Sequence, residues 1–230
     1  MLKKTLSLLK PAIAPFNPYN FIESVQGLAI TPTGSPILST AQKKFGTSSL
    51  YLGSSLSDLL SLSDNNIWHI SQNYGGLDFW VYPVTTSSST VVLVGQLGAS
   101  QGESWETSYN GSSAQIVEGC SGTFLDVTGT NLTMNTWNHL EFNVVDSSQT
   151  LRIFLNGTLI SSHSTGNPPF GAGFSGASLS IGGSWDGGSG SYYMDELRFF
   201  SVAHAHTSNF TPPTVPYTNS DALALFHFDG

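Results

Sequence analysis

The sequence is poor in cysteine and in charge, and each shortage excludes a class of protein. Cys120 is the only cysteine among 230 residues, so no intrachain disulfide can form and packing must hold the fold together. Seven Lys and Arg are outnumbered by fifteen Asp and Glu, which gives a net charge of −8. Because phosphate-binding surfaces need many cations, we expect no nucleic-acid partner. No apolar run approaches the roughly 20 residues of a membrane-spanning helix.

The composition favours strands over helices. The chain has 24 Gly and abundant Ser and Thr, whereas helices would need more Lys, Glu, Arg and Ala. A hydrophobic content of 39% argues against disorder. All-β sandwiches commonly reach about 200–250 residues as one domain, so the length is consistent with a single core.

The segment from Trp137 to His163 predicts three consecutive strands. Asn156-Gly157 is typical of a type I′ hairpin turn, in which both positions need positive φ. Before this turn, Leu151, Ile153 and Leu155 alternate with other residues, as on a strand with two differently used faces. An earlier strand has Leu140, Phe142 and Val144 on one face. The resulting antiparallel meander needs a second layer to cover its apolar face.

Several motifs carry a resemblance to a known family. They are Trp137-x-His139, the Asn156-Gly157 hairpin, the run from Lys44 to Leu50 and the segment from Phe79 to Pro83. Together they resemble the laminin G-like, concanavalin A-like lectin/glucanase family, in the form found in phage virion proteins. The resemblance implies an all-β jelly-roll sandwich of two antiparallel sheets, usually acting as a non-catalytic recognition or structural module.

The domain organisation follows from prolines and from a displaced motif. Residues 1–20 carry three prolines and predict an extended N-terminal arm. Residues 21–230 predict one sandwich. The C-terminal segment 222–229 resembles the segment with which the phage modules begin, so we expect a circular permutation whose moved strand pairs in this sandwich or in a neighbour's. Aromatic side chains at Phe16, Tyr19 and Phe21 are the candidates for anchoring the arm to partners.

Glycan binding would need exposed aromatic rings beside polar groups. Two clusters in Gly-rich surroundings have this composition. One joins Trp185 with Asp186 and Tyr192, and the other joins Trp105 with Tyr109. Packing within turns would explain both clusters equally well.

Calcium is the cation that suits oxygen ligands in a loop-rich β-protein. The candidate ligands are acidic residues in or beside predicted turns: Asp58, Asp64, Asp186 and Asp195. They lack the repeated spacing of a dedicated calcium loop, and no motif requires a cofactor. Calcium therefore stays open as an alternative to a metal-free fold.

We expect no enzymatic activity. Sandwich glucanases place two carboxylates on one strand face, whereas Asp195 and Glu196 are adjacent and would point to opposite faces. No Gly-x-Ser-x-Gly nucleophile motif occurs. Glycoside hydrolysis is therefore a distant alternative.

The sequence thus predicts a structural protein on a phage virion surface, such as a capsid decoration or tail-associated protein. It would act by contact with other virion proteins or copies of itself, and by adhesion to surface polysaccharide. The alternative is a soluble, extracellular carbohydrate-binding lectin module.

Overall fold

A computed structural model describes residues 17–70, 75–85, 90–96, 105–110, 115–120, 123–145, 147, 150–164, 177–183 and 190–230. Nearly all regular structure in these residues is β. The strands, in chain order, are β1 Thr31–Thr33, β2 Ile37–Ser39, β3 Ser49–Leu52, β4 Leu59–Leu62, β5 Gly75–Pro83, β6 Thr90–Gln96, β7 Trp105–Asn110, β8 Gln115–Cys120, β9 Thr123–Asn131, β10 Asn138–Val144, β11 Thr150–Leu155, β12 Thr158–Ser164, β13 Leu179–Gly182, β14 Tyr192–Ser201 and β15 Ala224–Phe226. No helix in the described ranges is long and apolar enough to cross a membrane.

The strands form two antiparallel sheets. One has seven strands in the order β1-β4-β13-β6-β7-β8-β9. The other has eight, in the order β12-β11-β10-β5-β14-β3-β2, with β15 also pairing β14. The predicted fold class, a sandwich of two antiparallel sheets, is confirmed.

The core lies between the sheets and follows from period-2 alternation. On the eight-stranded sheet, β5 contributes Leu77, Phe79 and Val81, and β10 contributes Leu140, Phe142 and Val144, all with 0% of their surface exposed. The seven-stranded sheet contributes residues such as Leu60, Leu93 and Ile181 to the same cluster. Each such side chain stabilises the fold by roughly 1.5–3 kcal/mol through burial.

The predicted hairpin at Asn156-Gly157 is confirmed. The two residues have φ values of 50° and 77°, and Leu155 pairs with Thr158 across the turn. A β-bulge interrupts the strand pair between Ile153 and Phe154. Phe154 is fully buried although it does not belong to the inward-facing set, because Phe210 from the C-terminal part of the chain packs on it at 5.4 Å.

The C-terminal strand is paired within the same chain. In the pairing of β15 with β14, Leu225 lies opposite Arg198. The other edge of β15 is closed by the N-terminal part of the chain, since Ser24 N–H donates to the Leu225 carbonyl at 2.8 Å and Leu225 N–H donates to Glu23 Oε1 at 3.0 Å. The circular permutation stays a prediction, because strand pairing does not reveal the history of the strand.

Candidate functional site

The predicted glycan platforms need correction at three positions. Trp105, Tyr109 and Tyr192 are 1%, 0% and 2% exposed, so their rings lie inside the sandwich and present no face to a ligand. Trp105 and Tyr109 belong to β7 and Tyr192 to β14, and alternation along these strands directs the three rings to the core. Trp185 and Asp186 lie outside the described residues, so their part of the prediction stays a prediction.

The predicted metal ligands are not brought together. Asp58 Oδ1 accepts from Ser35 N–H at 2.8 Å, and Asp64 Oδ1 lies 3.1 Å from His69 Nε2. Asp195 is on the other sheet, where its Oδ2 accepts from the backbone of segment 40–48. Within the described ranges, no group of three or more His, Cys, Asp or Glu is arranged to hold a metal. Asp186 lies outside these ranges, and calcium stays an untested prediction.

The predicted anchoring residues are placed differently from one another. Tyr19 is 66% exposed, whereas Phe21 is partly buried against the core. Phe16 lies outside the described residues. Of the two candidates that the structure describes, Tyr19 offers an open aromatic surface for contact with another chain.

A small pocket lies beside Asp58 and Tyr192. Its volume is about 230 Å³ when the open solvent at its mouth is included. Apolar side chains such as Leu52 and Val91 line it together with polar ones such as Ser55 and Asp58. Tyr192 contributes little polar character, because its hydroxyl donates to the carbonyl of Val92 at 3.0 Å.

A row of half-buried aromatic side chains crosses the outer face of the eight-stranded sheet. We call it the aromatic ladder and define it as Tyr51 of β3, Tyr193 of β14, Tyr82 of β5 and Trp137 just before β10. Ring centroids are 4.8 Å apart for Tyr51 and Tyr193, 6.0 Å for Tyr193 and Tyr82, and 5.6 Å for Tyr82 and Trp137. The planes of successive rings are inclined to one another by 42°, 82° and 65°, so neighbouring rings are not stacked face to face.

Strand register creates the ladder. Tyr193 lies directly opposite Tyr51 on one side and Tyr82 on the other. Asn138 pairs with Val81, which places Trp137 next to Tyr82. Each tyrosine alternates with core residues such as Val81 and so faces outward. The individual outward positions were visible in the sequence, but their alignment depends on pairings that the sequence does not show.

The hydroxyl of Tyr193 is influenced by its neighbours in the ladder. Burial raises the pKa of Tyr193, and its neighbours Tyr51 and Tyr82 raise it further, while a hydrogen bond with Ser39 acts in the opposite direction. The Tyr193 hydroxyl is therefore un-ionised at neutral pH and can donate and accept hydrogen bonds.

Segment 40–48 borders the ladder along the same sheet face. Lys44 Nζ lies 3.7 Å from the centroid of the Trp80 ring, and the Phe45 ring meets Trp80 edge-on at 6.3 Å. The segment is fixed because Asp195 Oδ2 accepts from the N–H groups of Lys44 and Phe45 at 2.8 and 3.1 Å. Burial raises the pKa of Asp195 to about 8, although these two hydrogen bonds act to lower it.

Farther along the same face, the C-terminal exit segment, residues 205–221, covers buried charges. Arg198 donates to both carboxylate oxygens of Asp78, from Nε at 2.9 Å and from Nη2 at 2.7 Å. The Tyr217 hydroxyl donates to Asp78 Oδ2 at 2.6 Å, and the Arg198 guanidinium lies 3.8 Å from the Tyr217 ring centroid. Burial alone would raise the pKa of Asp78, but Arg198 and the neighbouring His139, whose Nε2 is 3.7 Å from Asp78 Oδ2, outweigh it and lower the pKa to about 2.

Two further carboxylates hold the C-terminal part of the chain. Glu141 accepts from His206 N–H at 3.0 Å and lies 2.7 Å from its Nδ1. Glu196 accepts from Tyr217 N–H at 2.8 Å, while its other oxygen lies 2.7 Å from His227 Nδ1. The hydrogen bond to Glu196 raises the pKa of His227, although burial opposes it. Sequence reasoning missed this network because each member appears as an ordinary outward-facing polar residue.

A β-bulge corrects the argument made from Asp195 and Glu196. The register of β14 on β5 shifts between Asp195 and Arg198, and Glu196 has a φ of 53°. Strict alternation therefore fails there, and the two carboxylates cannot be assigned to opposite faces by counting. Both residues are 1% exposed, so neither is open to a substrate.

Comparisons with known proteins agree with this architecture. A family model described as the concanavalin A-like lectin/glucanases superfamily (Laminin_G_3) matches residues 35–207. A comparison with curated protein sequences finds no match.

Three solved structures share the fold at low sequence identity. The binding domain of Paraclostridial Mosquitocidal Protein 1 has a TM-score of 0.56 at 12% identity, with 84% of this chain and 46% of that chain covered. A structure of botulinum neurotoxin type C, whose cell entry depends on two ganglioside molecules, has a TM-score of 0.53 at 11% identity. It covers 74% of this chain and 42% of that chain. Domain 4 of AbnA, a GH43 extracellular arabinanase from Geobacillus stearothermophilus in complex with arabinotriose, has a TM-score of 0.52 at 18% identity, covering 74% and 82%. This chain thus spans less than half of the two toxin chains, and the likeness shows the fold alone.

Proposed function

Because the chain belongs to the concanavalin A-like lectin/glucanase superfamily, we propose that it is a non-catalytic recognition module that binds carbohydrate at the aromatic ladder. The observation that carries the proposal is the alignment of Tyr51, Tyr193, Tyr82 and Trp137 across neighbouring strands with ring spacings of 4.8–6.0 Å.

The ladder has the chemistry that sugars require. A sugar ring presents apolar C–H groups on its faces and hydroxyl groups at its rim. Tyr and Trp match both, because they combine a large apolar surface with one polar group. The ladder is also rigid, since its three tyrosines stand on paired strands of a sheet.

The surrounding carboxylates support a role without catalysis. Hydrolysis of a glycosidic bond needs two carboxyl groups about 5–10 Å apart, on either side of an open site. Asp78, Glu141 and Glu196 are each at most 1% exposed, and all three hold the C-terminal part of the chain in place. Their hydrogen bonds serve the fold.

The structural neighbours support the same class of function. The printed descriptions name gangliosides for the botulinum neurotoxin and arabinotriose for the arabinanase domain. Both are sugar-containing ligands of those proteins. For this chain they favour a carbohydrate over other small ligands.

The virion remains our proposal for where the module works. Its support is the resemblance of segment 222–229 to phage modules, together with two open side chains, Tyr19 within the N-terminal arm and Ile22 just after it, which are 66% and 49% exposed. We expect the protein to sediment with phage particles as a capsid decoration or tail-associated component. Recovery as a free protein in the medium would instead favour a soluble lectin.

A glycan array with matched tyrosine variants tests the binding site. We expect Tyr82→Ala and Tyr193→Ala each to weaken glycan binding by roughly tenfold, the effect of losing one aromatic contact of about 1.4 kcal/mol. Tyr19→Ala is the control, because it removes an exposed tyrosine that lies off the ladder. If both ladder variants bind like the wild type while Trp185→Ala loses the signal, the site lies in the Gly-rich loop and the ladder assignment is wrong.

A further inference from the structure

Positive charge is scarce in this protein, and two of its lysines lie beside the ladder. The net charge is −8, with seven Lys and Arg in the whole chain. In the described ranges the lysines are Lys43 and Lys44, both in segment 40–48. Lys43 is exposed and Lys44 half-buried, so both are within reach of solvent.

The geometry brings Lys44 close to the ladder. Its Nζ lies 3.7 Å from the ring centroid of Trp80, which precedes Tyr82 by two residues on the same strand face. Residues two apart on a strand are separated by roughly 7 Å. Asp195, which fixes the backbone of Lys44, follows Tyr193 by two residues on the adjacent strand. Lys44 therefore stands one residue row away from Tyr82 and Tyr193.

No acidic side chain forms an ion pair with the Lys44 ammonium group within the described part of the chain. Burial lowers the pKa of Lys44, and Asp195 acts in the opposite direction. Burial raises the pKa of Asp195 itself to about 8, so this carboxyl is mostly protonated at neutral pH. Asp229 faces the other end of the segment, where it accepts from the N–H groups of Thr47 and Ser48.

We propose that the ligand of the aromatic ladder is an acidic saccharide whose carboxylate is received by Lys44, with Lys43 beside it. The inference rests on the proposed carbohydrate-binding function. The ladder would contact the sugar rings, and the ammonium group would contact the carboxylate at the border of the ladder. The charge of the whole protein does not forbid this, because exposed charges farther away than about 8–10 Å are largely screened at physiological salt.

The test uses an array of oligosaccharides that contain uronic or sialic acids, each printed beside its methyl ester. The ester keeps the sugar and the linkage and removes the charge. We expect the wild type to retain acidic members and to bind their esters at least about tenfold more weakly, as for the loss of one charge-assisted hydrogen bond. Lys44→Met should weaken binding of the acidic members by a similar factor and leave the esters unchanged, because methionine keeps an apolar stem over Trp80.

Lys43→Met should give a smaller loss of the same kind. Arg152→Gln is the control, since it removes one positive charge on β11, opposite Asn143 and six residues from Trp137 along the neighbouring strand. Equal binding of acids and esters, or undiminished binding of acids by Lys44→Met, would overturn the inference. If the wild type binds neutral glycans and the Tyr193→Ala variant does not, the proposed carbohydrate-binding function stands and the proposal of an acidic ligand is wrong. An array on which nothing is retained overturns both.

Discussion

Removal of the Arg198 side chain should strongly destabilise the fold. In the variant Arg198→Met, Asp78 would lose both hydrogen bonds from the guanidinium, at 2.9 and 2.7 Å, while remaining almost fully buried. Breaking a buried ion pair by removing one partner typically costs about 3–5 kcal/mol. Because a domain has roughly 5–15 kcal/mol of stability in total, this loss would bring the protein close to unfolding.

The destabilisation should depend on pH in a defined direction. In the wild type the pKa of Asp78 is about 2, below its ordinary value of 3.8, so the stabilisation is present above about pH 4 and is lost as the pH falls towards 2. The loss amounts to about 2 kcal/mol. In Arg198→Met burial would raise the pKa of Asp78, so protonation would stabilise the variant as the pH falls. The free energies of unfolding of the wild type and of Arg198→Met should therefore become more similar at acid pH.

Urea denaturation followed by tryptophan fluorescence measures both effects. With a slope of about 2–3 kcal/mol/M, the midpoint of Arg198→Met should lie roughly 1–2 M below that of the wild type at pH 7. The double variant Asp78→Asn/Arg198→Met removes the unpaired charge and should recover part of the loss. Two results would refute the assignment of this pair as a buried, stabilising contact. One is a loss of unfolding free energy below about 1 kcal/mol in Arg198→Met at pH 7, and the other is a difference between wild type and variant that increases as the pH falls.

Two further predictions concern Asp195 and the hairpin turn. The pKa of Asp195 is raised to about 8, so its contribution to stability is present below about pH 4 and is lost as the pH rises through 8. In Asp195→Asn the free energy of unfolding should therefore vary less with pH over this interval. The same pH dependence in the variant and the wild type would contradict the raised pKa. Gly157→Ala should destabilise by more than Gly27→Ala. Both residues have positive φ, but of the two only Gly157 has a neighbour, the Phe210 carbonyl oxygen, that the new Cβ would meet. Gly27→Ala should cost about 1–2 kcal/mol in thermal unfolding, and equal costs would exclude the contact with Phe210 as a constraint.

Local patterns predicted the elements of the fold well. The alternation of Leu77, Phe79 and Val81 marks a strand that the structure extends to Gly75–Pro83. Asn156-Gly157 identified its turn because type I′ geometry needs two adjacent residues that tolerate positive φ. Such signals depend only on residues that are close in the sequence, so they can be identified before the pairing of the strands is known.

Features that depend on pairing could not be predicted. The aromatic ladder requires the register of Tyr193 against both Tyr51 and Tyr82, and several registers would preserve the same alternation. The sequence allows two interpretations of Trp105, an exposed glycan-binding ring or a packed ring. The position of its strand in the seven-stranded sheet decides between them. Asp78 alternates with the core residues Leu77 and Phe79, a pattern that predicts a solvent-facing side chain, and nothing in its own strand indicates that Tyr217 covers it.

The bond between Leu225 and Glu23 joins residues that are 202 positions apart. Until a ribosome has made nearly all of the described chain, the edge of β14 that receives β15 stays uncovered, and the apolar side chains beside it are exposed to other nascent proteins. Contacts of such long range also slow folding. We therefore expect efficient production of this protein in cells to depend on chaperones that shield that edge during translation.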